Sequence, residues 1–287
     1  MFKKNNHNFS FIQNNKELNE FIEKIKNQKI FFLDTEFERR STYKAIISFV
    51  VIYDGKNIGI IDCLEKKNRF KKIYNFLNHK KNTLVIHSHR QDLEIFLSIN
   101  KKILFSLFDT QIAALINSYK EMPSYKKLVL DFCGVQLDKS LQKNNWLKRP
   151  ITNEQVNYLI NDVYYLKIIF EKLKRDLIKK KKINLFNKLT KKEIYKISYE
   201  NYPIIYKKKL GEKIYANKKF IKLINFREKI AQKLNLPKNW VFSDKDILKN
   251  IKSEKIFITS KHLKNNEIKI LTKLIENLKK NISAKIN

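Results

Sequence analysis

Residues 30–37 read IFFLDTEF, four apolar, β-favouring positions that run directly into Asp34-Thr35-Glu36. In an extended chain alternate residues share one face, so the carboxylates of Asp34 and Glu36 project together, about 7 Å apart at roughly 3.3 Å per residue. The pattern predicts a strand over 30–33 that ends at Asp34. Ionised carboxylates beside an apolar run repel one another and resist desolvation unless a cation lies between them. Taken alone, the pair reads as a solvated strand end far more often than as a metal site.

Outward from this stretch the first half of the chain alternates strands and helices. Ala45 to Tyr53 (AIISFVVIY) reads as a second strand, Asp54-Gly55 as a hairpin turn and Asn57 to Cys63 as a third strand. Three antiparallel strands are therefore expected to open the domain. A helix is expected over Phe70 to Leu77, a buried strand over Thr83 to His87, and a helix from Asp92 with Leu93, Phe96 and Leu97 on one face. Phe108 to Ile116 reads as a strand end entering a helix. Thr152-Asn153-Glu154-Gln155 fits a capping box, and Val156, Leu159, Ile160, Val163, Leu166, Phe170 and Leu173 follow as one broad apolar stripe.

Beyond Asp176 the strand signals fade. Helices are expected over Phe220 to Leu234, Asp244 to Ile251 and Asn266 to Leu278, with a break at Leu236-Pro237. The expectation is an α/β domain, a mixed sheet flanked by helices, over 1–175. A basic linker with some helix over 176–211 and a smaller all-helical domain over 212–287 follow.

Composition removes several functions. With four Gly in 287 residues no G-x-G-x-x-G or P-loop can be written. Two isolated cysteines, Cys63 and Cys133, exclude a disulfide framework, a zinc ribbon and a C-x-x-C redox centre. No apolar run approaches the roughly 18 residues of a membrane helix, and MFKKNNHNFSFIQ lacks the apolar region of a signal peptide. A soluble, cytoplasmic protein is expected, with no membrane and no protein partner implied.

The formal charge of +33 favours anionic partners such as nucleic acid. Only seven of the 61 basic residues are Arg, however, and a Lys/Asn/Ile excess follows from A/T-rich coding whatever the function. The distribution is more informative, because residues 171–287 hold 33 Lys/Arg against 11 Asp/Glu.

Two further carboxylates stand beside apolar segments. Asp92 follows the strand TLVIH within a turn, where a helix N-terminal Asp also satisfies free N–H groups. Tyr158 and Asp162 lie four apart on the long helix, so phenol and carboxylate share a face. Either could be a surface residue. The set Asp34, Glu36, Asp92 and Asp162, distributed over three elements, suits hard divalent ions such as Mg²⁺ or Mn²⁺. A pair of such ions drives in-line displacement at a phosphodiester.

At these residues the sequence resembles the DEDD superfamily of 3′→5′ exonucleases and, within it, the ribonuclease D family. LDTEF (33–37) with STY (41–43) resembles the opening motif, and H-x-x-x-x-D-L-E-x-F (87–96) the second. FDTQIAA (108–114) and GVQLDKS (134–140) resemble intermediate segments. The run Trp146 to Leu166, with its Tyr-x3-Asp spacing, resembles the third motif. The subclass with a catalytic histidine would need His at 157, which is Asn157, so the tyrosine subclass is indicated.

The resemblance implies a ribonuclease H-like fold and two-metal hydrolysis by Asp34, Glu36, Asp92, Tyr158 and Asp162. Both metals would be Mg²⁺ or Mn²⁺, and His87 is a possible substrate contact. RNA with a free 3′ end, tRNA precursors above all, is the implied partner. Exonucleolysis of DNA and non-catalytic RNA binding are the alternatives. Asn145, Ala45 and Val51 depart from the family's usual Asp, Pro and Gln. Residues 220–278 more weakly resemble a single HRDC module, a helical nucleic-acid-binding domain. Tyr195, Tyr199, Tyr202 and Tyr206 could stack bases or pack the linker, and packing is the expectation.

Overall fold

Strand β2 (Ile30–Glu38) is the central ribbon of the α/β unit, and it runs past the point where its apolar stretch stops. The expected end at Asp34 is corrected by pairing. The strand Ile46–Tyr53 carries the antiparallel ladder onward, with Asp34 opposite Val51 and Glu36 opposite Phe49. Backbone hydrogen bonds to this neighbour outweigh the polar residues' weak strand preference. Asp34 and Glu36 are therefore mid-strand residues held on one face, and a bulge follows at Glu36/Phe37.

The computed structural model describes residues 8–64, 67–100, 102–138, 140–199, 206 and 209–283. Two compact units result: Met1–Glu38 with Ile46–Glu200, and Arg39–Ala45 with Asn201–Asn287. Residues 39–45, which include the STY of the first motif, thus group with the helical unit. Among the described residues no helix is long and apolar enough to cross a membrane.

In the first unit β1 (Phe9–Ile12), β2, β3 (Ile46–Tyr53), β4 (Ile58–Asp62), β5 (Thr83–Ile86) and β6 (Ser106–Asp109) form a six-stranded sheet in the order β1-β4-β3-β2-β5-β6. The β2-β3-β4 meander is antiparallel, whereas β1 pairs β4, β5 pairs β2 and β6 pairs β5 in parallel. The helices are α1 (Asn15–Ile25), α2 (Lys67–Leu77), α3 (Arg90–Leu97), α4 (Thr110–Asn117), α5 (Tyr125–Cys133), α6 (Asn153–Lys179) and α7 (Ile183–Tyr199).

Helix α6 begins at the expected capping box, with the Thr152 and Gln155 side chains and backbones bonding reciprocally. Its apolar stripe, Leu159, Val163, Leu166, Phe170 and Leu173, is buried in one core with Phe32, Phe49, Val51 and Val85. Phe108 meets Phe170 at 4.7 Å and Phe186 at 4.6 Å. Phe186 belongs to α7, so the span expected as a basic linker contains a helix packed into the α/β core.

In the second unit α8 (Glu212–Tyr215), α9 (Lys218–Leu234), α10 (Lys238–Val241), α11 (Asp244–Lys252) and α12 (Asn265–Ser283) surround Phe220, Leu223, Ile224, Val241, Ile247, Leu271 and Ile275. The expected break at Leu236-Pro237 follows a left-handed C-cap at Asn235. Of the four tyrosines, Tyr206 is buried in this core and Tyr195 is exposed. Tyr202 and the side chain of Tyr199 lie outside the described residues.

Candidate active site

Because β2 continues through them, Asp34 and Glu36 point from the sheet toward α6. Asp162 lies one turn beyond Tyr158 on that helix. One carboxylate oxygen from each of Asp34, Glu36 and Asp162 lies within 4.8 Å of the others. A cleft of about 360 Å³ opens over them, lined also by Thr35, Phe37, His87, Ser88, Gln91, Asp92, Tyr125, Gln142, Tyr158 and Leu166. All four carboxylates named from the sequence therefore share one cleft. Asp92 stands outside the tight group of three.

Asp92 sits in the first turn of α3 and accepts a 2.5 Å hydrogen bond from Thr35 Oγ1. Thr35 points to the opposite face of β2 from Asp34 and Glu36, so the middle residue of the D-T-E triplet braces the fourth carboxylate. Burial pushes the Asp92 carboxyl up to about 6, against the pull of the Thr35 bond. Tyr158 is buried with its ring 5.6 Å from Trp146. Burial, then the charges of Asp162, Glu36 and Asp34, hold its phenol well above the ordinary value.

His87 is half-buried, with Nδ1 2.9 Å from Thr110 Oγ1 and its ring 5.4 Å from Tyr125. It lines the cleft and also packs against Tyr125. Asn145, the departure from the usual Asp, keeps a polar contact: its Oδ1 accepts the Leu147 N–H at 3.0 Å. Val51 is wholly buried opposite Asp34 and faces the core.

Tyr125, His89 and Ser88, in or beside the cleft, were not singled out from the sequence. Tyr125 donates to the Asn161 carbonyl at 2.9 Å, next to Asp162, and burial followed by Asp162 and Asp34 raises its phenol well above the usual value. The signal was Ser124, which caps α5 and places Tyr125 on its first turn. His89 Nδ1 lies 2.5 Å from buried Asp109 Oδ2, which in turn caps α4. Ser88, between the two histidines, adopts φ 59° at the rim of the cleft, a left-handed conformation that non-glycine residues seldom hold.

The donor set is all oxygen, anionic and partly buried. Oxygens around an octahedral Mg²⁺ at 2.0–2.1 Å stand about 3–4 Å apart, and the three oxygens here lie within 4.8 Å of one another. Three gathered carboxylates gain from a hard divalent cation what they lose by mutual repulsion. The residues present fit such an ion.

Known proteins bear on this geometry. A family model described as 3′-5′ exonuclease matches residues 9–178. Ribonuclease D of Shewanella sp. is 31% identical over 165 residues, 58% of this chain and 42% of that protein. Ribonuclease D of Jannaschia sp. is 30% identical over 241 residues, 81% of this chain and 62% of that protein. The chain thus spans about half the length of these relatives. The structure of Escherichia coli RNase D, described as an exoribonuclease involved in structured RNA processing, superposes with a TM-score of 0.74. The identity is 23%, covering 94% of this chain and 75% of that one.

Proposed function

This chain belongs to the 3′-5′ exonuclease family, and on that premise we propose that it is a 3′→5′ exoribonuclease releasing nucleoside 5′-monophosphates. The observation that carries the reading is the gathering of Asp34, Glu36 and Asp162 within 4.8 Å in a cleft that Asp92 and Tyr158 also line.

Asp34, Glu36 and Asp162 would hold one divalent ion, with Asp34 shared toward a second ion held by Asp92, directly or through water. Two bound Mg²⁺ or Mn²⁺ ions would acidify a water and neutralise charge on the scissile phosphate and the leaving 3′-oxygen. Thr35 fixes Asp92 through its hydroxyl. Tyr158, its phenol raised above the ordinary value, is a poor base; it orients the attacking water by hydrogen bonding. His87 lines the cleft wall and would touch the substrate.

The substrate class is RNA with a free 3′ end, tRNA precursors above all, in the cytoplasm. Similarity to the Jannaschia ribonuclease D is too long to stop within the α/β unit. It supports reading the helical unit as an HRDC-like module that binds nucleic acid. From residue 201 onward the chain holds 22 Lys/Arg against 7 Asp/Glu, so its affinity for phosphates should fall steeply with salt.

The test is digestion of 5′-labelled 3′-extended tRNA and of matched single-stranded DNA with Mg²⁺ or Mn²⁺. The expected result is an RNA ladder shortening from the 3′ side, stopped by EDTA and restored by the metal. Faster digestion of DNA would transfer the activity to that polymer, and binding without cleavage would make the chain an RNA-binding protein.

A further inference from the structure

We propose that Arg149 is a positioning residue for Tyr158, acting through Trp146. This rests on the role given to Tyr158 above. Across β2, β3 and β4 the ladder places Glu36 opposite Phe49 and Phe49 opposite Asp62. Directly opposed residues of antiparallel strands share a face. Glu36, Phe49 and Asp62 thus form one row on the α6 side of the sheet.

Arg149, in the loop before α6, spans this row. Its Nε and Nη2 grip both oxygens of buried Asp62 at 2.6 and 3.0 Å, and Nη2 also donates to Ser48 Oγ at 2.9 Å. The guanidinium lies over the Phe49 ring, 4.1 Å from its centroid. Its Nη1 donates to the carbonyl of Trp146 at 2.7 Å, and Ser48 Oγ donates to that same carbonyl at 2.5 Å. Trp146 is therefore bolted by its own backbone to β3 and β4. Its indole, 2% exposed, meets Phe49 edge-on at 6.3 Å and Tyr158 at 5.6 Å.

Among the described residues the indole N–H has no hydrogen-bond partner, and the backbone latch and the two aromatic neighbours hold the ring. A phenol that orients water must be held to a fraction of an ångström, since small misplacements cost about 10²-fold. The wall behind that phenol is Trp146, and Arg149 holds the wall. The forked guanidinium suits the task, because a lysine supplies the charge without the two-pronged grip.

The experiment compares single-turnover cleavage of a short 5′-labelled RNA by wild type, R149K, Y158F and the double variant, with saturating divalent ion. R149K should lower the rate about tenfold or more with KM unchanged, and the double variant should be no slower than Y158F. A residue that merely stabilised the fold would slow both backgrounds alike. Full activity in R149K, or rate losses that multiply in the double variant, would overturn the inference; so would full activity in Y158F. If R149K does not fold, W146F leaves the latch intact, removes the indole, and should show the same pattern.

A second readout needs no activity. In a Trp240→Phe background Trp146 is the remaining tryptophan of two, and its buried emission should shift to the red in R149K. An unchanged spectrum would contradict the latch. A red shift in a chain that cleaves nothing would leave the latch standing and sink only the proposed reaction.

Discussion

In the α/β unit three carboxylates stand within 4.8 Å of one another; in the helical unit the fully buried guanidinium of Arg227 meets Asp244 at 2.5 Å and Glu228 at 3.1 Å. Tyr206 completes the second arrangement by donating to Asp244. Both units bury charge, but one sets like beside like and the other sets opposites together. Opposed charges with hydrogen bonds can stay buried without a ligand. Like charges at that distance repel, and a cation between them relieves that repulsion. Function is therefore to be sought in the first arrangement and fold stability in the second.

The sharpest way to break this contrast is Asp34→Asn. Cleavage should fall by about 10³-fold or more, as expected when an oxygen donor shared by two catalytic ions is lost. The melting temperature of the chelated protein should stay level or rise, because repulsion is relieved. A variant that melts lower and still cleaves would reverse the assignment.

Arg227→Leu probes the other unit. It strands Asp244 and Glu228 and should cost the helical unit about 3–5 kcal/mol, read as an early transition in denaturant. Turnover of a short oligonucleotide should be retained, and its loss would show that the network serves the reaction.

Acid separates the units further. Burial raises the Asp244 carboxyl, but hydrogen bonds from Arg227 and Tyr206 outweigh it and hold the group below its ordinary value. A depressed carboxylate lends stability above its unfolded value, near ~3.9, and loses it as pH falls through the folded value. Denaturation below about pH 4 should therefore weaken the helical unit, and Asp244→Asn should flatten that dependence. The smallest expected effect is Thr152→Ala. It removes the cap of α6 at about 1 kcal/mol in a thermal melt, with catalysis unchanged.

Much of this was legible in the chain because the decisive signals were local. The D-x-E alternation, the Tyr158–Asp162 spacing and the Thr152–Gln155 capping box each lie within one element, and the structure forms them as read. Element α1 also carried a signal, since Asn14 and Glu17 make a capping box and Leu18, Phe21 and Ile25 fall on one face. Strand β1 did not: four residues at a sheet edge acquire their conformation from β4.

The missing site partners are contacts between distant positions. Arg149 finds Asp62 across 87 residues and Thr35 finds Asp92 across 57, and no periodicity reports such pairs. The end of β2 was misplaced for the same reason, as only β3 supplies the bonds that carry it through Glu36.

The central claim is that Asp34, Glu36 and Asp162 form a divalent-cation site. Mn²⁺ binding, followed by electron paramagnetic resonance on wild type and on Asp162→Asn without RNA, tests it most directly. Wild type should bind the ion and the variant should bind it much more weakly, with native circular dichroism in both. Equal binding by the two proteins, or none by wild type, would contradict the claim.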